Sequence, residues 1–430
     1  MIKINKISKF DAVINEIKNN NYESALELIS EVKTNTEEEH LKNKLYGSIY
    51  FKKKNWSKCI EYFSKILSTN ENDIVVLNNM GVALFNFGKL NDSIKYFKKL
   101  STKENNSHNA FTNLGIAYKN LGDYGKAVQN FIKALDIKKD NNLIKQNLID
   151  IFNYYIPKET ENNQLLKLND EILKLNRNLS QKKLFDKSFI RNFIKKNFNK
   201  LNNLNLEYKE TQIFRRNRTN LNCDRHFKIF NEYNIIPKYC FNCYKIQIDL
   251  KDVVNLIKVF FIFNNINLEN NNIRKCIVET RKNVSGNYKG YIFCNGLDEA
   301  KNIIKIVSRE IRNFKVNIKD IKIKHGCTEY YERYPEYKKI NLKGEQKFKY
   351  TKEWKVKEDL VDSKFFKNNE KTIIPTINQI NLSDILIIKN WISYAKLIND
   401  ETYKEILSQE IDTGYFNEKI IDQISFRTNN

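Results

Sequence analysis

The stretch LGIAYKNLGDYGKAVQNFIKA, residues 114–134, decides the fold of the N-terminal part of the chain. Its pattern returns 34 positions earlier and again 34 positions before that, and a weaker fourth copy surrounds Ala25. In each clear copy a glycine is followed twelve residues later by a small residue and sixteen residues later by phenylalanine. These triplets are Gly47, Cys59 and Phe63; Gly81, Ser93 and Phe97; and Gly115, Ala127 and Phe131. A period of this length predicts stacked helical hairpins.

The residue types explain the pattern physically. Glycine lets two antiparallel helices approach closely, and the small residue does the same from the second helix. Each hairpin then buries its remaining apolar face on the next hairpin. Cys59 occupies a small-residue position, which predicts a packing role for its thiol. The first proline is Pro157, and its late position suits a long helical stretch.

This register resembles the tetratricopeptide repeat family over about residues 8–156, within a predicted repeat domain at 1–156. The domain has three clear repeats, one weak repeat and a closing helix at 141–156. The resemblance implies an all-α solenoid whose first helices bind a partner protein or an extended peptide. The partner-binding positions that it implies are Lys44, Lys52, Asn79, Asn86, Lys119 and Asn120. They predict an electropositive, amide-rich groove for an acidic segment. The alternative is a spacer array without a ligand of its own.

The chain after the repeats changes in composition and periodicity. Residues 157–220 combine lysine, asparagine and helically spaced leucine, which predicts a basic helical linker. Residues 221–350 predict a basic α+β domain with the order β-α-β-β-α-β, the ferredoxin-like arrangement. Residues 351–430 predict a helical segment that closes as an amphipathic helix. The predicted fold class is therefore multidomain, with an all-α repeat solenoid followed by an α+β domain with extra helices.

Alternation along the predicted strands places basic and aromatic side chains together on the sheet face away from the helices. This pattern favours single-stranded nucleic acid, because aromatic rings stack on bases and cations neutralise phosphates. The predicted nucleic-acid-binding residues are Lys245, Arg281, Lys289, Tyr291, Phe293, Lys322 and Lys324. Residues 289–293, KGYIF, resemble the start of the strand-three signature of RNA-recognition motifs, which implies RNA as the ligand. The alternative is that residues 327–430 cover Tyr291 and Phe293.

Six of the seven cysteines lie between residues 223 and 327. Two close pairs, Cys223 with His226 and Cys240 with Cys243, have the donor types of a structural Zn²⁺ site. Cys327 beside His325 is the alternative, a catalytic thiol in an enzyme whose substrate protein the repeats would recruit. A third interpretation is that these cysteines are simply buried small apolar residues.

Composition limits the classes of function that fit. The net charge is +23, of which residues 157–350 carry +19, and this excess favours an anionic partner. No apolar run is long enough for a membrane span, and the odd cysteine count with no apolar leader predicts a reduced, cytoplasmic protein. No established catalytic signature is present. The sequence predicts a non-enzymatic adaptor that joins a repeat scaffold to a zinc-stabilised domain for RNA or another anion; an enzyme and a purely structural scaffold are the alternatives.

Overall fold

The computed structural model describes residues 10–104, 106–158, 163–179, 185–201, 206–365, 373–407, 410–411, 413–414, 420–421 and 423–426. The predicted start of the repeats at residue 8 lies outside these ranges. The chain divides into two compact units, Met1–Ile151 and Phe152–Asn430. The second unit includes all three segments that the sequence separates at residues 220 and 350, and this finer division stays a prediction.

The first unit is a run of helical hairpins. Its helices are α1 (Asp11–Lys18), α2 (Tyr22–Glu31), α3 (Thr36–Lys52), α4 (Trp56–Thr69), α5 (Ile74–Asn86), α6 (Leu90–Lys103), α7 (His108–Leu121), α8 (Tyr124–Ile137) and α9 (Asn142–Ile151). Consecutive helices pack as pairs, and the first helices α3, α5, α7 and α9 also contact one another in succession. The pairs therefore stack as the 34-residue period predicts.

The glycine of each clear copy lies directly against the phenylalanine of its own hairpin. A Cβ atom at Gly47, Gly81 or Gly115 would overlap the ring of Phe63, Phe97 or Phe131, respectively. The small residues Ala25, Cys59, Ser93 and Ala127 are fully buried in the second helices. The repeated letters are thus the contacts that set the spacing between the two helices of a hairpin.

The second unit surrounds a five-stranded sheet. Its elements in chain order are α10 (Gln164–Asn176), α11 (Lys187–Leu201), β1 (Gln212–Arg215), α12 (Cys223–Tyr233), α13 (Lys238–Asn242), β2 (Cys243–Leu250), α14 (Val253–Asn265), β3 (Arg274–Val278), β4 (Tyr288–Asn295), α15 (Leu297–Asn313), β5 (Ile318–His325), α16 (Lys352–Phe365) and α17 (Leu382–Leu397), with short 3₁₀ helices at Pro335–Lys338 and Glu401–Glu405.

The sheet has the order β1-β3-β4-β2-β5, and every neighbouring pair is antiparallel. Helix α14 packs on β3 and β4, and α15 packs on β2, β4 and β5. Gly290 of β4 permits the close approach of α14, because a Cβ there would lie 3.1 Å from Val259 and 3.2 Å from Phe263. Strand β1 lies in the segment predicted as a helical linker, so that prediction is wrong for residues 212–215.

The C-terminal helix α17 differs from its prediction as an amphipathic helix. It packs against α10, α14 and β1, and most of its side chains are buried, including Trp391 and Tyr394. The Arg215 guanidinium donates two hydrogen bonds to Asp384, whose carboxylate oxygens lie 3.1 and 2.7 Å away, and both side chains are almost fully buried. This ion pair joins the missed strand β1 to α17. Within the part of the chain that the structure describes, no helix is long and apolar enough to cross a bilayer.

Candidate functional site

The sheet face opposite α14 and α15 forms the floor of a cavity of about 390 Å³. Among the described residues, six cationic side chains line this cavity together with one carboxylate, that of Glu329. The cations are Lys245, Lys275, Arg281, Lys289, Lys324 and Lys338. Four aromatic residues also contribute to the lining: Phe227, Tyr291, Phe293 and Tyr331. We call this space the cationic cavity.

Strand register explains why these side chains meet. Tyr291 of β4 lies opposite Lys275 of β3 on one side and Gln247 of β2 on the other. Phe293, two residues along β4, lies opposite Lys245. Because side chains alternate between the two faces of a strand, these residues share one face, as the sequence predicts.

The ammonium groups lie close to the aromatic rings. Lys275 Nζ lies 5.3 Å from the ring centroid of Tyr291, 5.4 Å from that of Phe214 and 6.0 Å from that of Phe293. Lys245 Nζ lies 5.3 Å from the centroid of Tyr291. These distances are those of cation–π contacts, which hold the cations over the ring faces without neutralising them.

Carboxylates neutralise only part of this charge. Glu279 forms ion pairs with Lys289 at 3.2 Å and with Arg281 at 2.7 Å, and both Glu279 and Lys289 are buried. Lys245 Nζ donates a hydrogen bond to the backbone oxygen of Gly326 at 2.9 Å. Lys275 makes the cation–π contacts described above. As far as the chain is described, the cavity is therefore a cationic site with a single carboxylate in its lining.

Burial changes the acidity of these lysines. Loss of solvent lowers the pKa of Lys245 to about 8, and Lys275 and Lys324 add to that shift while Glu329 and Cys327 oppose it. The pKa values of Lys275, Lys289 and Lys324 are also below their ordinary range, with burial as the largest cause in each. Burial disfavours the charged form of a lysine, and a bound anion would restore it.

The cavity is covered more than an open sheet face would be. Tyr291 is only 6% exposed and Lys289 only 1%, whereas Phe293 is half-buried. Its walls come from Cys223 and Phe227 of α12 and from the chain between Gly326 and Tyr331. The alternative in which later residues cover the aromatic pair is therefore partly realised. Lys322, which was predicted to bind nucleic acid, lies outside this lining and pairs with Asp249 and Asp320.

Sequence reasoning missed the wall residues. Phe227, Glu329, Tyr331 and Lys338 belong to segments without strand periodicity, and Phe214 belongs to the missed strand β1. For Glu329 and Tyr331 there is a compositional signal, the density of aromatic and charged residues in 325–337. Alternation is a local signal, and it reveals the floor of a cavity but not its walls.

Most of the predicted partner-binding residues of the first unit form hydrogen bonds or ion pairs within that unit. Lys44 forms an ion pair with Asp73 at 2.9 Å, and Lys119 forms one with Asp150 at 2.7 Å. Asn86 and Asn120 donate hydrogen bonds to backbone oxygens of their own helices. Asn79 accepts a hydrogen bond from Asn78, and Lys52 is exposed. Paired lysines make this surface less electropositive than the sequence predicts.

Three of the predicted zinc ligands each contact a residue that is not a predicted ligand. Cys240 Sγ is 3.6 Å from Tyr330 Oη, His226 stacks on Tyr239 at 5.2 Å, and Cys243 packs against Gly326. Of the residues whose positions are described, no group of three or more His, Cys, Asp and Glu is placed to hold a metal ion. The zinc quartet with Cys223 stays a prediction.

The alternative catalytic site, Cys327 with His325, has pKa shifts that favour the uncharged forms of both side chains. His325 stacks between Tyr244 and Tyr337, with centroid distances of 4.7 and 3.9 Å, and burial lowers its pKa to about 4. A hydrogen bond with Cys223 lowers the pKa of Cys327. A hydrogen bond with Cys240 and burial raise this pKa by more, so the net pKa is above the ordinary value of a thiol. A nucleophilic cysteine needs the opposite shift.

Comparison with known proteins bears on the first unit. The profile of the tetratricopeptide repeat family matches residues 108–141, which comprise α7 and α8. No curated protein matches the chain. Among solved structures, a double mutant of MamA RS-1 is 15% identical, with 33% of this chain and 80% of that chain covered and a TM-score of 0.32. MamA from Desulfovibrio magneticus RS-1 is also 15% identical, covering 33% and 81%, with a TM-score of 0.32.

A third solved structure is YrrB, described as a tetratricopeptide repeat protein with an unusual peptide-binding site. It is 20% identical, with 32% of this chain and 71% of that chain covered and a TM-score of 0.29. The family profile covers one hairpin, and the glycine–phenylalanine contact of that hairpin recurs in the two hairpins before it. The N-terminal unit of this chain is therefore built of tetratricopeptide repeats.

Proposed function

We propose that this protein is an adaptor that holds a protein partner on its repeats and single-stranded RNA in the cationic cavity. The repeats support the first half of the proposal, because such arrays serve as protein-interaction scaffolds. The second half depends on one observation above all. Six cations and one carboxylate surround a space whose floor carries Tyr291 and Phe293.

These groups have the chemistry that a nucleotide needs. Aromatic rings stack on bases of any sequence, and cations neutralise the phosphate next to the stacked base. Lys275 Nζ lies 6.0 Å from the ring centroid of the half-buried Phe293, so a base stacked on that ring would have its phosphate within reach of an ammonium group. Lys245 and Lys275 are half-buried, and their contacts described above are with a backbone oxygen and aromatic rings. Packing alone does not favour such cations, because removing a charge from water is unfavourable.

The architecture of the second unit agrees with this function. Without β1, the strand order is β5-β2-β4-β3, with α14 and α15 packed against the sheet in the two crossovers. We interpret this arrangement as a ferredoxin-like domain extended by one edge strand. Domains of this architecture support many functions, so the argument for RNA comes from the cavity and not from the fold.

The first unit offers an amide-rich surface for an extended peptide. Asn113 of α7 donates a hydrogen bond to Asn78 of α5 at 2.9 Å, and Asn78 donates one to Asn79 at 3.3 Å. Amide side chains both donate and accept, so this ladder suits the backbone of a bound segment. The partner is thus proposed to be a peptide segment recognised mainly through its backbone.

Binding of a short single-stranded RNA to the whole protein tests the RNA half. Lys275→Gln should weaken binding by about tenfold or more, since it removes the cation between the rings. Lys319→Gln, which changes an exposed lysine of the same sheet outside the cavity lining, is the matched control and should bind like the unchanged protein. Circular dichroism checks that both variants fold. Absence of RNA binding, or equal losses in the two variants, would refute the proposal.

A further inference from the structure

We infer that the cationic cavity accepts a nucleoside monophosphate group, and that RNA enters it by a phosphorylated end. This inference rests on the function proposed above and names the part of the RNA that is recognised. The same group occurs in free nucleoside monophosphates, which the cavity would bind by the same contacts.

The shape is that of a pocket, not of an open platform. A volume of about 390 Å³ lies near the lower end of the range of about 300–1,000 Å³ that holds small ligands. An RNA-binding sheet that stacks two or three successive bases must leave its aromatic residues open. Here Tyr291 is 6% exposed, so a strand has no continuous path across it.

The walls are fixed to the floor by hydrogen bonds. Gly326 donates its N–H to the backbone oxygen of Cys243 at 2.8 Å, and its own oxygen accepts from Lys245 at 2.9 Å. The chain that continues from Gly326 to Tyr331 is therefore attached to β2 on the cavity side. These walls confine an occupant of the cavity more than an open sheet face would, which favours a chain end over a continuous strand.

The charge exceeds what an internal phosphate would neutralise. A phosphodiester carries one negative charge. A terminal phosphate monoester carries about −1.5 to −2 at neutral pH and has three terminal oxygens that accept hydrogen bonds. Against the single carboxylate of Glu329, the lining has five lysines and Arg281, of which Glu279 neutralises Lys289 and Arg281 in part. The more highly charged group matches this excess better.

The aromatic ring of Phe293 is the reason to expect a nucleoside and not phosphate alone. Phe293 is the more accessible of the two sheet aromatics and lies opposite Lys245, while Lys275 lies 6.0 Å from its ring centroid. A base stacked on Phe293 would place its own phosphate towards these lysines. Inorganic phosphate would use the cations alone and would leave the ring surface unused.

Label-free calorimetry on the whole protein tests this inference with RNAs of one sequence. The arms are RNA with a 5′-phosphate, RNA with a 3′-phosphate, RNA with hydroxyl groups at both ends, covalently closed circular RNA, and free AMP. We expect a terminally phosphorylated RNA to bind at least about tenfold more tightly than the hydroxyl and circular forms, since only it adds the extra charge. We expect AMP to compete with it, and Lys275→Gln and Lys324→Gln to remove the preference while Lys319→Gln keeps it.

The outcomes separate the two proposals. If circular RNA binds as tightly as phosphorylated RNA and Lys275→Gln weakens both, the inference is wrong and the proposed RNA function stands. If AMP binds and no RNA does, the nucleotide pocket stands and the RNA function is wrong. If neither AMP nor RNA binds, both are wrong. Two cavity variants are used so that a folding defect in one does not decide the result.

Discussion

At the scale of single residues, the proposed function depends on the lysines of the cationic cavity. A buried ion pair such as that of Lys289 with Glu279 is common in structural networks. Lys245 and Lys275 differ, because a backbone oxygen and aromatic rings are their neighbours at hydrogen-bonding and cation–π distances. Neither neighbour carries a full negative charge, so an anion bound beside these lysines would be stabilised. A perturbed pKa in a cavity is a physical reason to expect a binding site.

The pKa of Lys245 gives a prediction about pH. Burial lowers it to about 8, and the charged or titratable neighbours that face it are Lys275, Lys324, Glu329 and Cys327. The proposed RNA ligand would bind the protonated form, so RNA affinity should fall as the pH rises from about 7 to about 9.5. Lys245→Arg keeps its charge throughout this range and should make the fall shallower. Anisotropy titrations at several pH values measure this.

The same shift has a stability consequence of known sign. The pKa of Lys245 is lower in the folded state than in the unfolded state, so the unfolded chain binds more protons between about pH 8 and about pH 10.5. The contribution of this group to the free energy of unfolding therefore rises with pH across that window, while ligand affinity falls.

Two results would contradict the affinity prediction. One is an RNA affinity of the unchanged protein that stays constant over this pH range, and the other is an equal fall of RNA affinity in Lys245→Arg.

The sequence predicted the floor of this site better than its walls. Strand alternation placed Lys245, Lys289, Tyr291 and Phe293 on one face, and the register agrees with it. Glu329 and Lys338 reach the cavity from irregular chain and a 3₁₀ helix, for which no periodic pattern exists. Their positions depend on contacts distant in sequence, and a single sequence does not encode those contacts as a local pattern.

At the scale of elements, each of the three hairpins α3–α4, α5–α6 and α7–α8 has one close contact between a glycine and a phenylalanine ring of its two helices. Gly81 in α5 leaves no room for a methyl group beside the ring of Phe97 in α6. The repeat register predicted a close approach of the two helices at this glycine, and the structure shows that the phenylalanine sixteen residues later is the side chain that the glycine meets. The 34-residue period of the sequence is therefore also the period of this packing contact.

Substitution at this contact should destabilise the hairpin. Gly81→Ala should cost about 1–3 kcal/mol, the usual penalty for overpacking a tight core. Phe97→Leu alone also destabilises, since it leaves a cavity. The double variant Gly81→Ala with Phe97→Leu should be more stable than the sum of the single changes implies, because leucine makes room for the methyl group. Hydrogen exchange of α5 and α6 measures the local free energy of opening.

Two outcomes would contradict this packing argument. One is a Gly81→Ala protein whose α5 and α6 amides exchange as slowly as those of the unchanged protein. The other is strict additivity in the double variant. Asn86→Ala in the same helix changes an exposed side chain and serves as the control for helix propensity.

One element was missed and another was predicted with the wrong character, both for physical reasons. Strand β1 has only four residues, and its pairing with β3 comes from 59 or more positions later in the chain. Helix α17 is buried on most sides, so it lacks the polar face that an amphipathic pattern requires. The buried pair of Arg215 and Asp384 joins these two elements, and neither residue belongs to a recognisable motif.

At the scale of the whole molecule, two compact units carry two different kinds of surface. The first is an array of helical hairpins with paired charges between first helices, and the second holds the cationic cavity on its sheet. Most of the basic excess lies in residues 157–350, within the second unit. The adaptor account assigns the protein partner to the first unit and the RNA to the second.

The most direct test of this account is photo-cross-linking of a 4-thiouridine RNA with a terminal phosphate to the intact protein, followed by mass spectrometry of the attached peptides. The account predicts cross-links on β4, at Tyr291 or Phe293, and on the cavity wall at Phe227 or Tyr331, and it predicts their loss in Lys275→Gln. Cross-links confined to the repeat unit or to the basic helix α11 would contradict it.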